Sequence, residues 1–399
     1  MNLILQKRPR LFAGDFTVWT IFIFLCFISL IEVYSAGSYL TIKENSYFSP
    51  LIRQTCYLVL AGFTAFVVQY IHFRYLFYLA AIGGIISYVL LGVTYFAGQN
   101  INNGARWLTI FGFSFQPSEL NKLCLILYVT AFTANAQKAD GTTRKISFSV
   151  LIPTFISFAL IAPQNLSTAA MLVVSVFVIL FIGNVPWRNF LQSIAAFTVL
   201  AILTLASFWI IFGANSTVTQ RFSTWESRMK SSEKHPENPR DYVITDKNRQ
   251  VTHARIAFAR SGVIGRGPGR SVQRDYLSAA YSDFIFAIIG EELGLLGCFL
   301  VVALYMTLFT RTYLIAKQCT GRPPAFIVMG IGIILLIQAL ANMAVSVGLV
   351  PVTGQPLPLI SKGGTSNLIT GIYFGIILSI SHYARTCDTG EKKKELPAA

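Results

Sequence analysis

Along most of this chain, apolar residues run for about 20 positions at a time, the span of a bilayer's hydrocarbon core, before a short polar connection interrupts them. Ten such stretches can be drawn: 16–35, 53–70, 75–96, 119–135, 148–163, 168–184, 190–213, 284–310, 325–349 and 367–384. The pattern predicts an all-α polytopic membrane protein of about ten transmembrane helices, with a large extracellular loop between the seventh and eighth. No secretory signal with a cleavage site opens the chain, and the run Phe16–Ser35 is long enough to stay as a helix. No internal repeat, inverted or tandem, is visible.

An even number of spans puts both ends on one side, and the basic residues of the short connections say which. Fifteen Lys and Arg fall on the side of the N-terminus, against four (Lys43, Arg53, Arg106 and Lys362) on the other. That bias predicts a multi-pass membrane protein with both termini in the cytoplasm. The expected divisions are a cytoplasmic tail (1–15), helices 1–7 (16–213), an extracellular or periplasmic loop (214–282), helices 8–10 (283–384) and a second cytoplasmic tail (385–399). Within the loop, 226–250 is polar and punctuated by proline, as in a mobile surface segment. Ala254, Arg255, Ala257 and Phe258 then predict a short amphipathic helix at the membrane surface.

Composition agrees with this picture. Apolar residues make up 54% of the chain and charged ones only 12%, where about a quarter is usual for a soluble globule. The net charge of +15 would suit nucleic acid, but the basic residues lie in loops between spans, so no nucleic-acid partner is expected. Six cysteines lie in or beside apolar runs or in the tail, with no CxxC or HExxH spacing for zinc. The loop 214–282 holds 12 Lys and Arg. It exceeds the length of about 60 residues over which the positive-inside bias is counted, so its excess asks for another cause, and an anionic ligand supplies one.

Several polar segments could carry chemistry. Gly262–Arg270, GVIGRGPGR, has the glycines to aim several N–H groups at one anion, with Arg266 and Arg270 beside them. It lacks the GK[ST] of a P-loop, and a flexible turn with solvated arginines fits the spacing as well. Asp283 opens the apolar run YSDFIFAIIGEELG. It fits an N-cap, and equally a general base whose apolar surroundings raise its pKa. Glu291 and Glu292 would lie about 12 Å deeper by helical rise, turned away from Asp283, where an ion pair with a neighbouring helix is expected. In Asn103–Lys122, Glu119 and Lys122 share a helical face and fit a salt bridge near a helix end, while Arg106 and Trp107 fit an interfacial anchor. Ala341–Asn367 joins the last two spans through three prolines and four glycines. Broken backbone at membrane depth survives only against protein or a wet cavity, and Lys362 there could meet an anion or snorkel. Ala162–Ala169, APQNLSTA, is a tight uncharged turn. Four shaped polar segments on one side, with cations and an acid, suit an anionic substrate arriving in the outer leaflet, such as a lipid-linked phosphate or pyrophosphate.

NGARWL…FQPSELNK, YSDFIFAIIGEELG and PVTGQPLPLISKGGTSN, in this order, resemble the SEDS family of bacterial cell-wall proteins, which includes FtsW and RodA. The glycine turn followed by SVQRDYLSAAYSDFIFAIIGEE is closer to the FtsW branch. The resemblance implies a ten-helix glycosyltransferase polymerising lipid II, the undecaprenyl-pyrophosphate-linked disaccharide peptide, on the outer face of the membrane. It implies that Asp283 is catalytic and that Glu119 and Lys122 line a central cavity. It also implies a class B penicillin-binding transpeptidase as partner, with other division or elongation proteins. Where the family has an Asp in a QPDLGT turn, this chain has Asn165, which removes a possible metal ligand.

On this reading Asp283 is the base, and Arg106, Glu119, Lys122, Arg255, Arg266, Arg270 and Lys362 contact substrate. Arg266, Arg270 or a divalent cation (Mg²⁺ or Mn²⁺) steadies the departing pyrophosphate. A flippase for the same lipid is the competing reading; the outward asymmetry of the polar segments and the lack of repeats stand against it.

Overall fold

A computed structural model describes residues 14–37, 48–97, 99–101, 104–110, 113–137, 148–212, 244, 248–277 and 280–388. Eleven helices lie among the described residues: α1 (Phe16–Ala36), α2 (Ser49–Val68), α3 (Phe73–Ala97), α4 (Pro117–Ala136), α5 (Phe148–Ile161), α6 (Leu166–Ile182), α7 (Trp187–Phe212), α8 (Arg249–Ser261), α9 (Ile285–Gln318), α10 (Arg322–Val347) and α11 (Gly364–Asp388). Apart from α8, each falls on one of the ten apolar stretches. Seven of them are long and apolar enough to cross a membrane; α5 and α6 are apolar but shorter, and α4 carries Glu119 and Lys122. Length and composition therefore carry seven crossings where the apolar pattern draws ten. The chain is a multi-pass membrane protein, and most of 226–250 lies outside the described residues.

The packing is that of a bundle turned outward to lipid. Phe63, Tyr78, Leu203 and Phe299 are exposed on its rim, where hydrocarbon rather than water is the solvent. α10 sits at the centre, against α4, α6, α8, α9 and α11, and α11 runs along α2. Without a hydrophobic drive between helices in lipid, close approach depends on small residues. A Cβ on Gly371 of α11 would meet the Ala61 carbonyl of α2 at 2.4 Å, so glycine there sets how closely the two helices lie.

Three helices are tied together by one buried carboxylate. Asp15 caps α1, accepting from the Thr17 N–H at 2.7 Å, and pairs with Arg311 of α9 and, at 3.2 Å, with Arg385 of α11. Burial pushes this carboxyl up, but the Arg311 hydrogen bond, the Thr17 N–H and the charges of Arg311 and Arg385 together hold it below the ordinary carboxylate value.

The sequence reading contained no sheet. The structure has a small one: β1 (Gln99–Ile101), β2 (Gly104–Ile110) and β3 (Phe113–Phe115), antiparallel in that order, with Leu108 opposite Phe115. It fills the connection before α4, whose first residue is Pro117, a position where proline's missing N–H costs nothing. α8 is the expected amphipathic helix. It buries Thr252, Ala254, Ala257 and Ser261 against α9 and α10.

Candidate functional site

α9 is broken. Gly294 sits at φ 70°, ψ −167°, outside helical space, and a break frees backbone groups that must find other partners. The glycine-rich turn provides them. The Leu295 and Leu296 N–H groups donate to the carbonyls of Gly262 and Val263, each at 3.2 Å, and the carbonyls of Glu291 and Glu292 accept from Arg266 N–H (3.1 Å) and Gly267 N–H (2.8 Å). Entry requires two glycines face to face. A Cβ on Gly265 would lie 2.3 Å from the Glu292 carbonyl oxygen and 2.4 Å from the Gly294 nitrogen.

This plug answers two expectations differently from the sequence. The loop does aim its N–H groups at an anion, but the anions are the protein's own. The Glu292 carboxylate accepts from Gly269 N–H (2.9 Å) and Ser271 N–H (3.2 Å) and from the Ser35 hydroxyl of α1. Glu291 accepts from the Ser271 hydroxyl at 2.5 Å, Gln273 N–H at 3.0 Å and Val272 N–H at 3.3 Å. Its nearest cation, Arg266, stands 3.9 Å away and comes from the same loop. The expected ion pair with a neighbouring helix is therefore replaced by a clamp on the loop. Peptide N–H groups can satisfy a buried carboxylate without bringing a second charge out of water. Arg274 completes the clamp, donating to the carbonyls of Gly269 (2.9 Å) and Ser35 (3.2 Å).

The clamped segment leads to Asp283, half-buried in the turn 281–284. The helix cap is Phe284, with no side-chain cap bond, so Asp283 is not the N-cap. Its turn is instead stitched down by consecutive backbone carbonyls. Tyr281 accepts from Lys362 N–H at 2.9 Å, Ser282 from the Ser361 hydroxyl at 2.6 Å, and Asp283 from Asn342 Nδ2 at 3.0 Å. Lys362 Nζ lies 5.4 Å from the centre of the Tyr281 ring, a cation–π distance.

Residues 348–363 form the other wall. Gly354 and Leu359 hold positive φ, 67° and 64°. Leu359 is a costly conformer for a branched side chain and survives only where its surroundings fix it. Tyr305 donates to the Pro358 carbonyl at 2.5 Å, Gln338 to Pro356 at 3.3 Å and Ser29 to Ile360 at 2.9 Å. This is broken backbone lined by protein, as membrane depth requires. Asn342 also donates to the Gln355 carbonyl at 2.7 Å, and Gln355 Nε2 to the Thr168 hydroxyl at 2.5 Å. Asn165 caps α6 through Thr168 N–H at 3.4 Å.

The structure thus joins Asp283, Lys362, the 341–367 segment and the 162–169 turn through continuous hydrogen bonds. Arg255 reaches the same wall at the C-terminal end of α10, donating to the Gly348 carbonyl at 3.2 Å, where helix dipole and cation agree. Glu119 and Lys122 form the expected pair, 2.7 Å apart and both buried. Their helix meets the loop where Gln116 N–H donates to the Thr365 hydroxyl at 3.4 Å. Arg266 and Arg270 stay exposed on the glycine-rich turn, with no described contact to the Asp283 turn. Arg106 belongs to β2, its side chain outside the described residues. Among the described residues no group of three or more His, Cys, Asp or Glu is placed to hold a metal ion. An apolar cavity of about 550 Å³ opens between α1, α2 and Pro268–Gly269, lined by Leu30, Tyr34, Leu51 and Thr55 among others. It adjoins the clamp, and the Asp283 turn is not part of its lining. The sequence reading missed Gln355 and Ser361, although both lie inside the quoted QPLPLISKGG.

Known proteins share this architecture and sequence. The chain is 30% identical over 300 residues, covering 74% of it and 77% of the relative, to "Probable peptidoglycan glycosyltransferase FtsW" of Taylorella equigenitalis. It is 28% identical to the protein of the same name from Enterococcus hirae, with 92% of each chain covered. Among solved structures, a chain of a peptidoglycan synthase complex superposes with a TM-score of 0.69 at 24% identity, covering 93% of this chain and 98% of that one. The rod shape determining protein RodA of Thermus thermophilus gives 0.64 at 24% identity, covering 95% and 99%. A match to FTSW_RODA_SPOVE, described as cell cycle protein, runs over residues 15–386, and this chain belongs to that family.

Proposed function

We propose that this protein is a peptidoglycan glycosyltransferase that polymerises lipid II on the outer face of the cytoplasmic membrane, in septal wall synthesis, with Asp283 as general base. Family membership and the names of its relatives support the reaction class. The observation that carries the assignment of the base is the Asp283 turn itself. Its carbonyls at 281–283 are pinned to α10 and the 348–363 segment, so the backbone is fixed where a base has to be aimed. The Asp283 carboxylate takes the proton of the acceptor hydroxyl. The acceptor oxygen bonds to the donor's anomeric carbon from the side opposite the leaving group, and the carbon–oxygen bond to undecaprenyl pyrophosphate breaks. Because pyrophosphate leaves as an anion, no second carboxyl is needed to protonate it, unlike glycoside hydrolysis.

Lys362, whose Nζ lies 5.4 Å from the Tyr281 ring beside the Asp283 turn, is the cation assigned to steady the diphosphate. Arg255 lies on the same wall, while Arg266 and Arg270 serve on approach from the outer turn. Both termini lie in the cytoplasm on this reading, supported by the basic bias of the short connections and by Asp15, Arg311 and Arg385 gathering at one end. A class B penicillin-binding transpeptidase is the partner, a reading supported by the fold shared with a chain of a peptidoglycan synthase complex.

Purified protein reconstituted with its partner in vesicles, and given lipid II only on the outer side, should produce glycan strands there. Transfer of lipid II to the lumen without polymer would instead establish a flippase, the role that the buried Glu119–Lys122 pair would also suit.

A further inference from the structure

Five polar atoms around the Asp283 wall are buried with no hydrogen-bond partner among the described residues: Asn165 Nδ2, Asn342 Oδ1, Ser346 Oγ, Thr353 Oγ1 and Gln355 Oε1. They belong to one neighbourhood. Asn342 bonds the Gln355 backbone, Gln355 bonds Thr168, and Asn165 caps the turn at Thr168. Ser346 lies one turn along α10 on the face of Asn342, and Thr353 precedes Gln355 by two residues. Native proteins satisfy nearly all their buried polar groups, so a set left open together calls for a function.

The chemistry of the set identifies what would fill it. It holds two amide carbonyl acceptors, one amide N–H₂ donor and two hydroxyls that do either, and it carries no charge. A diphosphate would need cations, and a metal ion would be opposed by the amide donor of Asn165. The buried polar group at Glu119, Asn121, Lys122 and Tyr373 is built around the Glu119–Lys122 ion pair and differs in kind. A sugar bearing hydroxyls and an acetamido group presents donors and acceptors in the mixture this wall offers.

We propose that Asn165, Asn342, Ser346, Thr353 and Gln355 form a neutral saccharide subsite for a hexosamine unit of the substrate, next to the base. The proposal rests on the polymerase reading. Asn342 links the two, since its Nδ2 holds the Asp283 carbonyl while its Oδ1 is left for the sugar.

The test compares two probes on the purified full-length protein: lipid II, and undecaprenyl pyrophosphate, which lacks the sugar. Ser346→Ala and Thr353→Val delete orphaned hydroxyls with little change of shape. Each should leave Tm unchanged or raise it, because an unsatisfied group is removed. Each should weaken lipid II binding about tenfold, as expected for a polar ligand group left unpaired, and leave undecaprenyl pyrophosphate binding as it was. Unchanged lipid II binding, an equal loss for both probes, or a fall in Tm showing that the hydroxyl already has a partner would each overturn the subsite. If the unsubstituted protein binds neither probe, it is the polymerase reading that falls.

Discussion

Glu291 and Glu292 on one side, and the side chains around Asp283 on the other, are buried almost alike but satisfied very differently. The two carboxylates receive N–H and hydroxyl donors from the plug and from α1. At Asn342 and Gln355 the amide donors are spent on backbone carbonyls and the Thr168 hydroxyl, and the acceptors are left open. A completed polar network is a structural fastening, because every lone pair is spent inside the protein. An incomplete one at comparable burial reserves its hydrogen bonds for something that arrives. Charge alone would have pointed to Glu291 and Glu292 as the site; satisfaction points away from them.

The comparison can be broken most forcefully at the fastening. Glu292→Ala strands the N–H groups of Gly269 and Ser271 and should cost about 3–5 kcal/mol, the range for removing one partner of a buried charged interaction. The measurement is thermal unfolding in detergent, and Glu292→Gln should fall between. Gly265→Ala should cost about 2–4 kcal/mol, combining a left-handed conformer with a collision against backbone that cannot yield. The same measurement checks it. Asn342→Ala sharpens the contrast, since this residue belongs to both classes. It should lose about 2 kcal/mol of stability through its two bonds, lower kcat through loosening of the Asp283 turn, and raise KM through loss of the Oδ1 that the sugar would meet.

The smallest effect is expected at Asp15, a third satisfied carboxylate, fastened by arginines rather than peptide groups. Asp15→Asn should cost about 1–2 kcal/mol near neutral pH, because the partly exposed arginines weaken the pair. The folded pKa of Asp15 is depressed, so its stabilisation is present above the unfolded value and is lost as pH falls through the folded one. The Tm gap between wild type and variant should therefore close as the pH drops below the ordinary carboxylate range.

The helices were legible in the sequence because a run of about 20 apolar residues has few other uses. The order of polar segments around Asp283 was legible for a related reason: glycine, proline and amide clusters interrupt those runs only where backbone must turn. The plug was not. Its contacts join Gly262–Gly267 to residues 291–296, and Gly294 inside EELGLLG looks like any glycine tolerated in a membrane helix. The small sheet escaped because two of its strands are three residues long, although Asn103–Gly104 is a hairpin signal. Hydrogen-bond satisfaction, which separates Glu292 from Gln355 at equal burial, depends on atoms far apart in the chain and leaves no local mark.

The most direct test of the account is the rate of lipid II polymerisation by Asp283→Asn in vesicles, with the transpeptidase partner present and substrate supplied outside. The substitution nearly preserves shape and leaves the backbone carbonyl that holds Asn342. Lipid II binding and Tm should stay near those of the wild type, while the rate falls by about 10²–10⁴-fold, the contribution expected of a general base. Polymerisation at the wild-type rate would contradict it.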